Sequence, residues 1–197
     1  MNLNGHVIPQ QEFTKEFIRK TIQLTIAFVP TLARWNFHFT VAVISLGIVI
    51  YTVNETARMR GRSDGIISLV TVIASRPTER GFVWGPVTLG LGALAALFYH
   101  PEPAATIGIY ALAFGDGFAS LAGLLYNRAN NRVGEKALVE SFLCFIGVFV
   151  SAYIVLGNLR LALISAAVAM GLELIPVQDV DNLIIPIGTG LALTLAM

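Results

Sequence analysis

The chain has 197 residues, of which 55% are hydrophobic and only 13% are charged. A soluble globular domain carries about 25% charged residues, so this chain lacks the charge that a water-facing surface needs. The mean hydropathy is +0.73, the formal net charge is +1 and the chain has one cysteine. These values exclude an intrinsically disordered chain, a disulfide scaffold and a nucleic-acid-binding protein, and they indicate a polytopic membrane protein.

Hydropathy predicts seven membrane-spanning helices within one domain that covers residues 1–197. The polar, mixed N-terminal residues predict no cleavable leader. Each predicted span is close to the roughly 20 residues that cross a hydrocarbon core as a helix. The spans are 19–34, 37–54, 84–99, 104–126, 138–156, 159–175 and 183–197.

The segment Asp64–Ser75 is apolar but too short to cross, which predicts an interfacial or re-entrant helix. With that assignment, Arg34 and Arg160 are the only two of the 13 Lys and Arg residues on one side of the membrane. The positive-inside rule then places the N-terminus in the cytoplasm and the C-terminus outside. The expected fold is an all-α bundle of about seven transmembrane helices plus this short helix.

Asp116 is the most informative polar residue, because it lies inside an apolar span between Gly115 and Gly117. A charged side chain at membrane depth costs about 2.5–3.5 kcal/mol on insertion scales, so it is rare unless it is paired. The two glycines permit a broken helix and a close approach of backbone or phosphate. The pattern favours a functional carboxylate, and a polar contact between helices is the alternative.

Other polar residues lie near the predicted cytoplasmic ends of the spans, which predicts a site for charged groups at that membrane face. Arg19 and Lys20 follow Glu16 by about one helical turn, and topology anchors are the plain alternative. The run ETARMRGR, residues 55–62, is either part of this site or a positive-inside loop.

The segment ELIPVQDVDNLIIPIGTG, residues 173–190, concentrates carboxylates and an amide next to the last span. Such oxygen ligands suit Mg²⁺. The alternatives are a solvated loop and a helix cap formed by Asp181 or Asn182. The histidines and Cys144 show no metal-ligand spacing, so a zinc site is not predicted. Gly85-Pro86 predicts a helix start, and Trp35 and Trp84 are expected at the membrane interfaces.

In combination, these motifs resemble the CTP-dependent lipid-alcohol kinases, which include dolichol or polyprenol kinases, phytol kinases and a CTP-dependent diacylglycerol kinase. The similarity runs from about residue 16 to residue 190. Two positions depart from the family pattern: Gln23 stands where the family has a histidine, and Glu140 is displaced by one residue. The matching motifs are Glu16-x-x-Arg19-Lys20, Gly85-Pro86, Gly115-Asp116 with Ala119 and Gly123, the loop that begins at Lys136, and Asp181-Asn182-Leu183.

The resemblance implies transfer of the γ-phosphoryl group of CTP to the hydroxyl of a membrane lipid alcohol, with Mg²⁺ as cofactor. The acceptor would be a polyprenol or dolichol, phytol or diacylglycerol. It implies catalytic roles for Asp116, Asp181 and Glu140, and structural roles at the site for Gly115, Gly117 and Gly123. The implied nucleotide-binding residues are Arg19, Lys20, Arg58, Arg128 and Lys136. The implied metal ligands are Asp116, Asp181, Asn182 and Glu173.

Two other functions are open to a chain of this kind. A phosphatidate cytidylyltransferase also uses CTP at a membrane, but its C-terminal signature strings do not occur here. A small ion-coupled carrier could bind its coupling ion at Asp116. Such carriers usually contain inverted repeats, and the sequence shows none.

Overall fold

The computed structural model describes residues 10–61, 81–118, 120–123, 125, 133–175 and 180–197. All regular secondary structure among these residues is helical, which confirms the predicted all-α class for this part of the chain. The predicted re-entrant segment Asp64–Ser75 lies outside the described residues, as does Arg128.

The described part of the chain contains eight α-helices, one 3-10 turn, one π-helical segment and the helical residues 120–123. The first four are α1 (Gln10–Leu24), which continues through the 3-10 turn Thr25–Phe28, α2 (Val29–Trp35), α3 (Phe37–Met59) and α4 (Gly85–Tyr99). The others are α5 (Ala104–Tyr110), which continues as the π-helical segment Ala111–Phe118, α6 (Val133–Leu156), α7 (Leu159–Glu173) and α8 (Asp181–Ala196).

Three helical stretches are long and apolar enough to cross a membrane, namely Phe37–Met59, Ala104–Gly123 and Val139–Leu156. The helices α4 and α8 are apolar but shorter. By helix length and composition the chain is a membrane protein. The number of spans and the side of each terminus stay predictions.

The first predicted span, 19–34, differs from the structure. Instead of one helix, the chain forms α1, the 3-10 turn and α2 in succession. Pro30 lies in the first turn of α2, and a proline has no N–H with which to continue a helical ladder from the preceding turn. The side chains of Lys20 and Gln23 are buried, so α1 also turns polar groups toward protein.

The stretch Ala104–Gly123 is the centre of the bundle. In its most apolar window, 73% of the residues are buried inside the protein, compared with 6% for Phe37–Met59. Small residues dominate the core, which lets helix axes approach closely. Two core clusters of the described residues are Ala111, Cys144, Val148, Ala166, Ala169 and Ile185, and Ala104, Ile107, Ala152, Ala162 and Leu193.

The helices alternate in direction, so the bundle has two distinct ends. At one end, which we call the Arg34 end, Arg34 approaches Glu102 and Phe37 packs edge-on against Phe98. At the opposite end, the Asn182 end, α1, α4 and α8 meet around Asn182. Among the positions predicted to be cytoplasmic, Asn182 lies at this end, and Glu55 bonds to Val83 immediately before α4.

Candidate functional site

Asn182 joins three helices through its side-chain amide. Its Oδ1 accepts a hydrogen bond from Gln23 Nε2 of α1 at 3.4 Å. Its Nδ2 donates to Thr88 Oγ1 at 3.0 Å and to the Gly85 carbonyl oxygen at 3.4 Å, both on α4. Only 8% of Asn182 is exposed. A buried amide with its donor and acceptor both engaged fixes these helices relative to one another.

The backbones of α4 and α8 touch next to this amide. A Cβ atom added to Gly92 would overlap the backbone carbonyl oxygen of Asn182. Gly108 of α5 is packed in the same way against the carbonyl oxygen of Pro186. The glycines therefore set the distance at which α8 lies from α4 and α5.

The π-helical segment passes between α1 and α6. A Cβ on Gly115 would lie 3.1 Å from Cys144 Sγ of α6, and a Cβ on Gly117 would lie 3.3 Å from Leu24 Cδ2 and 3.8 Å from Gln23 Cγ of α1. Asp116 lies at this point of the backbone, and its side chain is outside the described residues. A π-helix within an α-helical protein is found frequently at functional sites.

Lys20 and Gln23 share one face of α1, since they are three residues apart. Lys20 is 4% exposed and Gln23 is 5% exposed, whereas Arg19 is half-buried. Because Gln23 contacts both Asn182 and the position of Gly117, this face of α1 points toward α8 and the π-helical segment. Burial of an ammonium group is costly unless it is compensated, so Lys20 belongs to a built polar environment.

Glu140 lies against Gly123. A Cβ on Gly123 would overlap Glu140 Cγ, and it would lie 2.6 Å from Glu140 Oε1. The half-buried carboxylate of Glu140 therefore covers the end of the central helix. Lys136 lies about one turn earlier on α6, and its side chain is outside the described residues.

Asp181 and Asn182 occupy the first turn of α8, but neither is the residue that caps it. The capping position is Val180, whose side chain makes no capping hydrogen bond. Asp181 Oδ1 instead accepts from the backbone N–H of Asn182 at 2.8 Å. A carboxylate in the first turn is stabilised by the helix dipole. The capping alternative is thus wrong for Asn182, whose amide is used on α1 and α4.

Glu173, a predicted metal ligand, is half-buried in the last turn of α7. The preceding residue, Leu172, lies against Gly188 of α8. Among the described residues, no group of three or more His, Cys, Asp or Glu side chains could hold a metal ion. Magnesium usually needs only one or two carboxylates beside the substrate phosphates.

Sequence reasoning missed the burial of Glu55. Its residue is 1% exposed, and its carboxylate accepts from Arg58 Nε at 2.7 Å and from Arg58 Nη2 at 2.6 Å. Glu55 Oε1 also accepts from the backbone N–H of Val83 at 3.0 Å, immediately before α4. The predicted nucleotide-binding residue Arg58 is thus paired within the protein. The sequence signal for this ion pair is its spacing, because oppositely charged residues three positions apart are neighbours on a helix.

Two helix starts at the Arg34 end have side-chain caps. Asn36 caps α3 and Asn158 caps α7, since they accept from Phe39 N at 3.0 Å and from Leu161 N at 3.2 Å. Among the described residues, helix α5 begins at the same end without a side-chain capping bond, and so do α4 and α8 at the Asn182 end. At the start of α8 the N–H of Asn182 is bonded to Asp181, so the attraction for an anion there comes from the helix dipole.

Comparisons with protein-family models, with curated proteins and with solved structures find no significant match for this chain. The kinase resemblance therefore rests on the sequence motifs. The described contacts link Gln23, three residues after Lys20 on α1, to Asn182 at the start of α8 and to the position of Gly117.

Proposed function

We propose that this protein is a membrane kinase that transfers the γ-phosphoryl group of CTP to the hydroxyl of a lipid alcohol. The observation that carries the proposal is the position of Gln23, which touches Asn182 on one side and packs toward Gly117 on the other. Through this residue, the helix that carries Arg19 and Lys20 lies beside the start of α8 and the Gly115–Gly117 segment.

Phosphoryl transfer requires mainly positioning and neutralisation of charge. Arg19, Lys20 and the starts of α4 and α8 would hold the triphosphate, with Arg128 and Lys136 as further cations. Asp116 and Asp181 would hold Mg²⁺, which supplies charge neutralisation when bound. A carboxylate among Asp116, Asp181 and Glu140 would accept the proton of the lipid hydroxyl.

A polar site at the end of a lipid-embedded bundle suits both CTP and a lipid alcohol. The nucleotide is charged and would enter from water, whereas the lipid alcohol would enter laterally from the bilayer. Because the central helix is largely surrounded by protein, the Gly-Asp-Gly segment can carry a carboxylate without facing lipid.

The decisive experiment uses purified protein in lipid nanodiscs with a polyprenol, phytol or diacylglycerol. Label that passes from [γ-³²P]CTP to lipid, but not from [α-³²P]CTP, would support the kinase. Label in lipid from [α-³²P]CTP would instead identify a cytidylyltransferase. Absence of labelled lipid with every acceptor would contradict both enzymes and leave the ion-coupled carrier.

The proposal also requires the Asn182 end to face the cytoplasm. Cys144 is buried, so a Cys144→Ser background allows single-cysteine labelling. An impermeant maleimide added to intact cells should label a cysteine at Asn158 and spare one at Arg60, both of which are exposed. Labelling of position 60 from outside would place the site on the wrong side of the membrane.

A further inference from the structure

The residues just before α4 are held by side chains of α3. Arg58 Nη2 donates to the Gly81 carbonyl oxygen at 3.1 Å, the Val83 N–H donates to Glu55, and Tyr51 Oη donates to the Val83 carbonyl oxygen at 3.0 Å. Three backbone polar groups of residues 81–83 are therefore bonded to one helix. Val83 itself is 4% exposed.

We infer that Glu55 and Arg58 are positioning residues for the candidate site, and that they act by holding residues 81–83. The inference rests on the proposed function. We call Glu55, Arg58 and residues 81–83 the clamp.

The clamp leads directly to Asn182. Two residues after Val83 comes Gly85, whose carbonyl oxygen accepts from Asn182, and one turn later comes Thr88, whose hydroxyl also accepts from it. Asn182 in turn accepts from Gln23 on the face of Lys20. Hydrogen bonds thus connect α3 to Val83, the backbone leads from Val83 into α4, and further hydrogen bonds connect α4 to α8 and α8 to α1.

The geometry of the ion pair favours positioning over direct nucleotide binding by Arg58. The Glu55 side chain is 0% exposed and the Arg58 side chain is 27% exposed, so the guanidinium edge that forms the pair faces protein. Two parallel N–H···O bonds fix orientation as well as distance. Buried ion pairs add little net stability. The Glu55–Arg58 pair is therefore better explained by the fixed geometry that it imposes than by the stability that it adds.

The test uses two conservative variants, because removal of either partner would leave a buried charge. Arg58→Lys keeps the charge and loses the two-pronged bond, and Glu55→Gln keeps an acceptor for Val83. The matched control is Glu102→Gln, since the Arg34–Glu102 pair is 4.0 Å apart with side chains 60% and 47% exposed.

The first measurement does not depend on activity. Trp84 follows the clamp, and its ring centroid lies 4.7 Å from that of Phe82. In a Trp35→Phe background, both clamp variants should lower the fluorescence anisotropy of Trp84 while Glu102→Gln leaves it unchanged. In a Trp84→Phe background, the two clamp variants should leave the anisotropy of Trp35, at the opposite end, unchanged. An unchanged Trp84 in both clamp variants would overturn the inference.

The second measurement separates kcat from KM. Misplaced groups lower turnover, and a shift of about 1 Å can cost 10²-fold, so Arg58→Lys should reduce kcat by about 10- to 100-fold. The KM for CTP should change by less than about 3-fold, because ground-state binding is not what the clamp provides.

A raised KM with normal kcat and an unchanged Trp84 would make Arg58 a nucleotide ligand and overturn the inference. A lowered anisotropy of Trp84 with normal kcat in Arg58→Lys would also overturn the inference. If the wild-type protein transfers no phosphoryl group, the proposed function fails, and the anisotropy of Trp84 still supports or overturns the clamp.

Discussion

The two ends of the bundle solve the same physical problem in different ways. At the Arg34 end, two helix starts are satisfied by a nearby residue of the same sequence: Asn36 bonds to a residue three positions later, and so does Asn158. The ion pair there is long and exposed. Such caps stabilise a helix end with a partner that is close in sequence.

At the Asn182 end the partners are distant in sequence. Gln23 and Asn182 are 159 positions apart, Thr88 and Asn182 are 94 apart, and Glu55 and Val83 are 28 apart. These polar groups are buried, and a buried polar group is costly if its partner is misplaced.

A membrane bundle that only needed stable helix ends could have used asparagine caps at both of them. The expense of buried long-range polar contacts at one end therefore points to a requirement for fixed geometry there. The following predictions test that difference between the ends, starting with the largest effect.

Asp116→Asn should abolish most of the activity without harming the fold. The substitution removes the charge that would bind Mg²⁺ or accept a proton, so the initial rate of lipid phosphorylation should fall by at least about 10²-fold. Removal of a charge from a membrane-embedded segment should hold or raise the melting temperature. Glu102→Gln makes the same chemical change at the Arg34 end and should alter neither quantity. A variant that melts lower but turns over normally would mean that Asp116 is a structural contact.

Gly92→Ala should destabilise the protein strongly, because its Cβ would overlap the backbone of Asn182 and neither helix backbone can move cheaply. Overpacking of this kind costs about 1–3 kcal/mol or more. The matched control is Gly47→Ala on α3, where a Cβ would meet nothing within 4 Å and the alanine should be neutral or stabilising. Thermal unfolding of both variants in the same detergent makes the comparison, and equal melting temperatures would show that α4 and α8 are not in backbone contact.

Helix positions were predicted well from the sequence. The prediction 84–99 became α4 at Gly85–Tyr99, and Pro86 lies at its first turn as expected. Hydropathy succeeds here because the thickness of the hydrocarbon core sets both the length of the apolar run and the length of the helix. The first span was predicted as one helix because hydropathy does not register the missing N–H of Pro30.

The contacts of the candidate site were not predictable in the same way. Periodicity places Gln23 on a face and Asn182 near a helix start, but it carries no information about which helices are neighbours. The predicted span ends at residue 54 because a charged side chain ends an apolar run, and the sequence leaves residues 55–62 as either part of the site or a positive-inside loop. In the structure Arg58 neutralises Glu55 one turn later, so α3 continues to Met59 with both residues included.

Asn182→Ala should cost both stability and turnover. Removal of the amide leaves Gln23 and Thr88 without this partner, and a buried polar group left unsatisfied costs about 1–3 kcal/mol. The kcat for lipid phosphorylation should fall as well, since α1 and α4 lose their shared contact. Asn158→Ala removes a cap at the Arg34 end, so it should cost about 1 kcal/mol and leave kcat unchanged. Equal kinetics in the two variants would show that Asn182 only stabilises the bundle.

Arg19→Ala compared with Arg34→Gln is the mildest test of the two ends. Arg19 is half-buried beside the buried Lys20, where the triphosphate is proposed to bind, so its loss should raise the KM for CTP. Loss of the contact would also lower kcat if the contact tightens in the transition state.

The control is Arg34→Gln. Arg34 contacts Glu102 only at 4.0 Å and in an exposed position, and Glu102 keeps its 2.7 Å bond from Thr106 Oγ1 when Arg34 is replaced. The loss of such an exposed pair is worth about 0–1 kcal/mol, so Arg34→Gln should leave the melting temperature, KM and kcat close to wild type. Steady-state kinetics over a range of CTP concentrations measures both variants. If Arg19→Ala behaves like Arg34→Gln, then Arg19 is a topology anchor, and the basic face of α1 does not bind the nucleotide through this residue.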